Sequence, residues 1–256
     1  MKNNVALITG GAGFIGSETA KLLAQKSTEL VLLDKNQDRA NDLARNLIEN
    51  YSVPVMTMSY DLLDKESFIK VHNDIQKRFG KLDYLVNVAA FYDDVPGFGC
   101  NFELETYEAW LKVFQVNTMA PFFLAQSLRS LLLESNTPSI VHVSSIYGLV
   151  GPDHSIYEGT DMTNPCSYSV SKAGLNQLTK WLSTVLAPKI RVNTISPGGI
   201  QRGQPQSFLD AYHKKTPLKR MCRNKEVADA ILFLLSEQSS YITGHNLVVD
   251  GGWTVW

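Results

Sequence analysis

Short apolar runs alternate with longer amphipathic stretches along the whole sequence, and this order constrains the fold more than any other feature. The runs are typical of buried strands, and the stretches between them have the periodicity of helices. This alternation predicts an α/β fold, a doubly wound parallel sheet of about seven strands with helices on both faces. The predicted strands lie near residues 5–9, 30–34, 54–60, 82–87, 139–144, 190–196 and 246–250, and the predicted helices near residues 15–26, 37–50, 65–79, 106–134, 168–186 and 225–235.

No linker, charged block or internal repeat interrupts this order, so residues 1–256 are predicted to form a single domain. Two stretches rich in Gly, Pro and polar residues, 148–166 and 198–216, are predicted to be long loops. Both follow predicted strands, and an α/β sheet binds its ligand beside the carboxyl ends of its strands. We therefore expect the two loops to border a binding site.

Charge and cysteine content narrow the classes of partner. The chain has 24 Lys and Arg against 25 Asp and Glu, a net charge of -1, so no overall field favours nucleic acid or an anionic membrane. The longest apolar runs are far shorter than the roughly 20 residues of a membrane-spanning helix. Cys100, Cys166 and Cys222 are odd in number and follow no metal-ligand spacing, which predicts reduced thiols, a cytoplasmic protein and no metal site. A small molecule is the predicted partner.

The sequence TGGAGFIG, residues 9–16, follows the first predicted strand directly and opens a helix. Glycines there let the backbone turn sharply and approach a pyrophosphate, which faces the N–H groups and positive dipole end of the helix. Asp34 ends the second predicted strand, 18 residues after Gly16, which is close to the spacing of an acid that binds ribose hydroxyls. These features predict a dinucleotide site of the Rossmann fold, against the alternative of a tight turn without a ligand.

The same carboxylate decides which dinucleotide is expected. Asp34 would repel a 2′-phosphate, and no Lys or Arg lies within the glycine turn to compensate. NAD is therefore the predicted cofactor, with NADP less favoured. Lys35 is the one neighbour whose positive charge could weaken the preference for NAD, although we expect its side chain to point to solvent.

Of the ten tyrosines, only Tyr168 has a lysine four residues later, Lys172, and residues at this spacing share one helix face. A free tyrosine has a pKa near 10, so it is a poor base at neutral pH unless a fixed cation stabilises its phenolate. Lys172 is placed to do so. The alternative is an incidental pair at a helix N-terminus.

Taken together, these residues resemble a known family, the short-chain dehydrogenases/reductases. The resemblance extends over almost the whole chain: the glycine turn, Asp34, Asn87 to Ala90, Asn117, Ser144 and Ser145, Tyr168 with Lys172, Pro197 to Gly199, and Val249 to Gly252. It implies that Tyr168 is the general acid/base and that Lys172 lowers its pKa and binds the nicotinamide ribose. It further implies that Ser145 holds the substrate oxygen and that Asn117 helps to seat a proton-relay water.

The resemblance also implies a set of cofactor contacts in a Rossmann-type NAD(P) site. These are Gly10, Gly13, Phe14, Ile15, Gly16, Asp34, Asp61, Leu62, Asn87, Ala89, Tyr168, Lys172, Pro197, Gly198 and Ile200. Alternatives stay open at several positions. Asp61 could cap the following helix, Asn117 could be a capped kink or a surface amide, and Ser145 could be a polar strand end. His142 is expected to be a core or second-layer histidine rather than a catalyst.

Three features depart from the short form of this family. Phe14 stands where a glycine is usual and resembles longer members that act on nucleotide sugars, although the length and the Val249 to Gly252 ending fit the short form. Arg202 stands where a threonine commonly holds the nicotinamide amide. Arginine cannot accept a hydrogen bond, so either the backbone does this work or Arg202 faces an anionic substrate.

The third departure is spacing, because Ser145 and Tyr168 are 23 positions apart, about twice the usual separation. The extra residues, near 152–161, are expected to form one wall of the substrate pocket. Their acidic, hydroxyl and aromatic side chains favour carbohydrate, and the stretch looks similar to bacterial members in surface-sugar and flagellin-glycan pathways. The alternative is a solvated loop that only lengthens the lid.

The sequence thus predicts an NAD-dependent oxidoreductase that interconverts a secondary alcohol and a ketone, with a sugar or sugar derivative as substrate. A nucleotide-sugar epimerase or dehydratase and a catalytically silent nucleotide-sensing module are the alternatives. The resemblance implies a homodimer or homotetramer. Candidate contacts are Phe122, Phe123, Trp181, Trp253 and Trp256, several of which core packing explains equally well.

Overall fold

The computed structural model describes residues 4–92 and 102–256. Its seven strands form one parallel sheet in the order β3-β2-β1-β4-β5-β6-β7, which confirms the predicted doubly wound architecture. The strands are β1 (Val5–Thr9), β2 (Glu29–Leu33), β3 (Val55–Met58), β4 (Tyr84–Asn87), β5 (Ser139–Val143), β6 (Arg191–Pro197) and β7 (Asn246–Val249). The α-helices are α1 (Phe14–Gln25), α2 (Gln37–Tyr51), α3 (Glu66–Phe79), α4 (Tyr107–Phe114), α5 (Ala120–Leu133), α6 (Cys166–Leu186), α7 (Gln206–Lys215) and α8 (Asn224–Leu235).

The two faces of the sheet form separate hydrophobic layers. Successive strand residues point to opposite faces, so Ala6 and Ile8 of β1 join one layer while Val5 and Leu7 join the other. The first layer is completed by side chains of α1, α2 and α8, and the second by side chains of α3, α5 and α6. Because the sheet is buried on both faces, the strands are apolar at consecutive positions of the sequence.

The strand order reverses beside β1. The chain leaves β1 to build β2 and β3 on one side, then returns to place β4 on the other, where Asn87 pairs in register with Thr9. Connections that leave in opposite directions open a crevice at the carboxyl ends of these two strands. The glycine turn at the end of β1 lies at this crevice.

The predicted helix over residues 106–134 is interrupted. It divides into α4, a π-helical turn at Gln115–Met119, and α5. Pro121 has no N–H to bond the carbonyl four residues earlier, that of Asn117, and the helix widens in the turn before it. The stretch predicted to be helical is therefore helical from Tyr107 to Leu133, and the structure adds a π-helical turn within it.

Helix α7 lies inside the stretch 198–216 that was predicted to be a loop. Most of its residues are polar, but Phe208, Leu209 and Tyr212 are buried at helical spacing. That spacing is the signal that could have revealed the helix. Within the described ranges, no helix is long and apolar enough to cross a membrane.

Candidate active site

A cleft of about 530 Å³ opens along the carboxyl ends of the strands. It is bordered by the glycine turn, the ends of β2, β4, β5 and β6, and the first turns of α6. Of the predicted site residues, fourteen line it: Gly10, Gly13, Phe14, Ile15, Asp34, Asp61, Leu62, Ala89, Ser145, Tyr168, Lys172, Pro197, Gly198 and Ile200. Gly16, Asn87 and Asn117 lie behind this lining.

Steric limits explain the glycine turn. Gly10 has φ +63°, and a Cβ at Gly16 would lie 2.1 Å from the carbonyl oxygen of Gly10. Gly16 therefore lets α1 pack against the turn rather than lining the cleft itself. Phe14 and Ile15 in the first turn of α1 face the cleft, and this turn has no acidic side chain. The positive end of the helix dipole is thus available to an anion.

Asp34 is held rigidly opposite this turn. One carboxylate oxygen accepts from Ala12 N at 2.9 Å and the other from Asn36 N at 2.9 Å. The carboxylate can accept hydrogen bonds from hydroxyl groups, and its charge opposes a nearby phosphate. Lys35 also lines the cleft and is exposed.

Asp61 lies in a turn after β3, where Oδ1 accepts from Leu63 N at 2.9 Å. Helix α3 begins at Glu66. The N–H of Glu66 donates a hydrogen bond to the side chain of Asp64, not to that of Asp61. The alternative in which Asp61 caps this helix is therefore wrong. Asp61 and Leu62 line the cleft instead.

Tyr168 and Lys172 meet on the buried face of α6. Lys172 is 2% exposed, its Nζ lies 5.6 Å from the centroid of the Tyr168 ring, and it donates to the carbonyl of Val143 at 2.8 Å. Burial lowers the pKa of Lys172 to about 7. Burial thus makes this side chain easier to deprotonate than an exposed lysine.

The Tyr168 hydroxyl has partners with opposing effects. Burial and a hydrogen bond to Tyr92 raise the pKa of Tyr168 well above its usual value, whereas a hydrogen bond with Ser145 and the charge of Arg202 lower it. Ser145 Oγ also accepts from Tyr147 N at 3.1 Å, which orients the hydroxyl at the end of β5. Ser145 thus faces the site and is more than a polar strand end.

Tyr92 is a site residue that the sequence reasoning missed. Its ring stacks on that of Tyr168, with centroids 4.0 Å apart and an interplanar angle of 8°. Tyr92 follows the end of β4, at the edge of the sheet where ligands bind. An aromatic residue at that place is the signal that could have found it.

Asn117 occupies the π-helical turn between α4 and α5 and is buried, so the alternative of a surface amide is wrong. Its Oδ1 accepts from Phe91 N at 2.7 Å, and its Nδ2 donates to Phe91 O at 2.9 Å and to Ser171 Oγ at 3.0 Å. Asn117 therefore connects the chain after β4 with α6. The wider turn places its amide inward.

Ser144 and His142 are structural. Ser144 Oγ donates to the carbonyl of Lys172 at 2.9 Å and joins β5 to α6. His142 is completely buried, with Nδ1 3.0 Å from Asn87 Nδ2, which confirms the expected core histidine. Burial and the nearby Lys172 lower the pKa of His142 to about 3. The Oδ1 of Asn87 is buried and has no hydrogen-bond partner among residues 4–92 and 102–256.

The loop after β6 forms the third side of the cleft. Gly198 N donates to Val249 O at 3.0 Å, and Gly199 N donates to the Tyr212 hydroxyl at 2.6 Å. These bonds connect the loop with β7 and α7. Farther along, the guanidinium of Arg202 lies over the ring of Phe14, 4.7 Å from its centroid.

The insertion before α6 packs against α7. Ile156 is buried, the Tyr157 and Phe208 rings lie 5.4 Å apart, and Asp153 forms an ion pair with Lys215. The hydroxyls of Tyr147 and Tyr157 are 2.7 Å apart inside the cleft. The alternative of a loop that is only solvated is therefore wrong, because part of the insertion is a wall of the pocket.

Other predictions concern metals and thiols. Within residues 4–92 and 102–256, no three His, Cys, Asp or Glu side chains are grouped so as to hold a metal ion. Cys166 and Cys222 are free thiols, and Cys100 lies outside the described residues.

The chain is similar to proteins of known type along its whole length. The profile of the family described as enoyl-(acyl carrier protein) reductase matches residues 11–254. The post-translational flagellin modification protein A of Campylobacter coli is 29% identical over 99% of both chains. The ribulose-forming D-arabinitol 2-dehydrogenase of Scheffersomyces stipitis is 31% identical, over 100% of this chain and 95% of that protein.

Solved structures agree. NAD+-bound xylitol dehydrogenase has a TM-score of 0.87 at 26% identity, covering 98% of this chain and 99% of that one. The NADPH-dependent 3-quinuclidinone reductase of Rhodotorula rubra has a TM-score of 0.87 at 28% identity, covering 100% and 93%. The chain therefore belongs to the short-chain dehydrogenase/reductase family and is an NAD(P)-dependent oxidoreductase.

Proposed function

We propose that the protein is a single-domain, NAD-dependent oxidoreductase that interconverts a secondary alcohol and a ketone on a sugar or sugar derivative. The observation that carries the proposal is the meeting of Ser145, Tyr168 and Lys172 at one wall of the cleft, across from the glycine turn. A proton-transfer group, an oxygen-binding hydroxyl and a cation are the groups that this reaction needs.

The cleft suits a dinucleotide. Gly10 and Gly13 line the cleft, the buried Oδ1 of Asn87 has no partner among the described residues, and Asp34 presents a fixed carboxylate. We propose that these residues and Lys172 hold NAD, together with the other predicted contacts from Gly10 to Ile200. When bound, the nicotinamide accepts or returns a hydride.

The protein's own residues would handle the proton. In the oxidation direction, Tyr168 Oη takes the proton of the substrate hydroxyl while Ser145 donates a hydrogen bond to the same oxygen. A buried phenolate is costly, and the positive charge of Lys172 beside the ring offsets part of this cost. Asn117 acts at a distance, by holding the backbone of Phe91; its predicted role in seating a water stays a prediction.

The pocket lining supports a polyhydroxylated substrate. Tyr147 and Tyr157 present hydroxyls and ring faces, and Asn164 and Gln204 add amides. Hydroxyls and amides exchange hydrogen bonds with sugar hydroxyls, and rings pack on sugar faces. Two of the similar proteins are named as acting on arabinitol and xylitol.

Asp34 supports NAD over NADP, because its carboxylate would lie against a 2′-phosphate. Similar solved structures include an NAD+-bound protein and an NADPH-dependent one, so similarity alone does not favour either cofactor. The proposed preference for NAD therefore rests on Asp34. Asp34→Asn is expected to weaken the preference for NAD over NADP, expressed as the ratio of the two affinities and measured by titration of each cofactor. An unchanged ratio would show that Asp34 does not set the cofactor preference.

The central test is Tyr168→Phe, with Tyr241→Phe as its matched control because Tyr241 is fully exposed. We expect Tyr168→Phe to bind NAD like the wild type and to lose about 10²- to 10⁴-fold in turnover, the usual contribution of a positioned acid or base. The assay follows NADH absorbance with sugars, sugar phosphates and nucleotide sugars. Retained turnover in this variant would refute the mechanism.

Phe14 favours a second candidate, a nucleotide-sugar epimerase or dehydratase, because longer family members have this residue in the turn. These enzymes recycle the cofactor internally. Product analysis distinguishes the two, since an altered nucleotide sugar without net NADH would replace the first proposal by the second. A silent nucleotide-sensing module is disfavoured by the intact group of Ser145, Tyr168 and Lys172.

We also propose a homodimer or homotetramer in the cytoplasm. Members of the family are usually oligomeric. Trp181 and Trp256 are exposed, Phe122 and Phe123 are half-buried, and Trp253 is buried against Tyr212, which leaves the first four as candidate contacts.

A further inference from the structure

Phe14 and Arg202 meet across the cleft from opposite walls. Phe14 begins α1 in the glycine turn and is 49% exposed, whereas Arg202 lies on the loop after β6. The guanidinium lies 4.7 Å from the centroid of the ring, within the range of a cation–π contact. Both residues line the cleft, and both depart from what is usual in the family.

The donors of Arg202 are available to a ligand. In the part of the chain that the structure describes, no carboxylate pairs with this guanidinium, and the backbone N–H of Arg202 donates to Gln204 Oε1 at 2.7 Å. The contact with Phe14 is a cation–π contact, and among the described residues no oxygen accepts a hydrogen bond from the guanidinium. These donors form a planar fork that matches the oxygens of a phosphate.

The charges of the cleft are unevenly placed. Among the described residues that line it, the charged side chains are Asp34, Lys35, Asp61, Lys172 and Arg202. The first three follow β2 and β3, at one end, and the Nζ of Lys172 is already bound to Val143 O. Arg202 lines the same cleft as Tyr92 and Tyr168, and its positive charge lowers the pKa of both phenols. Among the residues that the structure describes, Arg202 is therefore the cation that can bind an anion between the glycine turn and Tyr168.

We propose that Arg202, held on the ring of Phe14, binds a phosphoryl group at the junction of the cofactor and substrate parts of the cleft. This inference rests on the proposed function. The phosphoryl group has two possible sources, the pyrophosphate of the dinucleotide or a phosphate on the sugar substrate. Phe14 is then a platform that fixes the guanidinium before the ligand arrives, which reduces the ordering cost of binding.

The test replaces Arg202 in two ways. Arg202→Met keeps the length of the side chain but removes the charge and the fork, and Arg202→Lys restores the charge alone. Arg45→Gln is the matched control, because Arg45 is an exposed arginine on α2 that pairs with Asp42 outside the cleft. Calorimetric titrations measure the affinities for NAD, ADP-ribose and adenosine, and steady-state kinetics compare sugars with their phosphates.

If the pyrophosphate is the ligand, Arg202→Met should weaken NAD and ADP-ribose by about 10- to 100-fold, the effect of one charge-assisted hydrogen-bonded contact, and leave adenosine unchanged. If the substrate phosphate is the ligand, NAD affinity should stay constant and the KM for the sugar phosphate should rise by a similar factor. Arg202→Lys should recover part of either loss, and Phe14→Leu should reproduce part of it.

Equal affinities and equal KM values in Arg202→Met and Arg45→Gln would overturn the proposal. The titrations need no turnover, so this result is separate from the failure of the proposed function. That failure would appear as wild-type protein that does not bind NAD or that yields no NADH with any sugar.

Discussion

At the residue scale, the site depends on how the proton of Tyr168 is shared. Tyr92 stacks on its ring and accepts its hydrogen bond, which stabilises the protonated phenol, while Ser145 and Arg202 stabilise the phenolate. The pKa of Tyr168 is thus set by its burial and by side chains from three other parts of the chain. Removing any one of them should shift the pH dependence in a known direction.

Tyr92→Phe should lower the pKa of Tyr168, because it removes the hydroxyl that favours the protonated form while keeping the stacked ring. The acidic limb of kcat/KM for alcohol oxidation should therefore move to lower pH. Tyr107→Phe, an exposed tyrosine on α4, is the control. A limb that stays in place, or moves to higher pH, would contradict this account.

Lys172 makes the stability of the ligand-free protein depend on pH. The unfolded chain keeps this proton up to the ordinary lysine pKa of 10.5, whereas the folded protein releases it near pH 7. Between these values the unfolded state binds more protons, so the free energy of unfolding should rise with pH, by at most about 1.4 kcal/mol per pH unit. Denaturant unfolding of the wild type and Lys172→Met from pH 7 to pH 10 measures the slope, which the variant should lose. Equal slopes would show that Lys172 does not titrate as proposed.

At the scale of elements, the site depends on how closely α6 approaches the chain after β5. Ser144 Oγ binds the carbonyl of Lys172, and Asn176 Nδ2 donates to Gly148 O at 3.1 Å. A Cβ at Gly148 would lie 2.8 Å from the backbone carbon of Lys172. This contact requires glycine for reasons of space, since its φ is not positive.

Gly148→Ala should destabilise the protein by about 1 to 3 kcal/mol, the usual cost of overpacking, and should reduce turnover because α6 carries Tyr168 and Lys172. Gly151→Ala is a matched control three residues away, where a Cβ would have nothing within 4 Å. Thermal unfolding and NADH formation measure the two effects. Equal stability and turnover of Gly148→Ala and Gly151→Ala would show that the contact between Gly148 and α6 is not tightly packed.

At the scale of the whole molecule, α6 carries an apolar outer stripe in which Trp181 and Val185 are 52% and 54% exposed. Covering this stripe with a second copy would remove large apolar side chains from water. We expect sedimentation to show a dimer or tetramer and Trp181→Glu to shift it toward the monomer. Ile48→Glu on α2, an apolar residue of similar exposure, should leave the assembly unchanged. A wild-type monomer would refute this expectation.

The parts of the fold that were predicted correctly have local signals. Burial on both faces makes each strand apolar along its length, and amphipathic helices repeat every 3.6 residues. Helix α7 was missed because its buried residues are few among polar ones, and the π-helical turn was missed because periodicity continues through it. For α7 the deciding contacts come from an element distant in the sequence, such as Tyr157 against Phe208, whereas the π-helical turn has a local cause in Pro121.

By itself, the sequence determined the parallel α/β sheet, the glycine turn with Asp34, and the shared helix face of Tyr168 and Lys172. These depend on periodicity, steric limits and spacing within short segments. Only the tertiary structure decided that Tyr92 would stack on Tyr168, that the insertion would pack on α7, and that Arg202 would lie over Phe14. Each of these pairs joins residues from separate crossovers of the sheet, and no local pattern records which loops meet at its carboxyl edge.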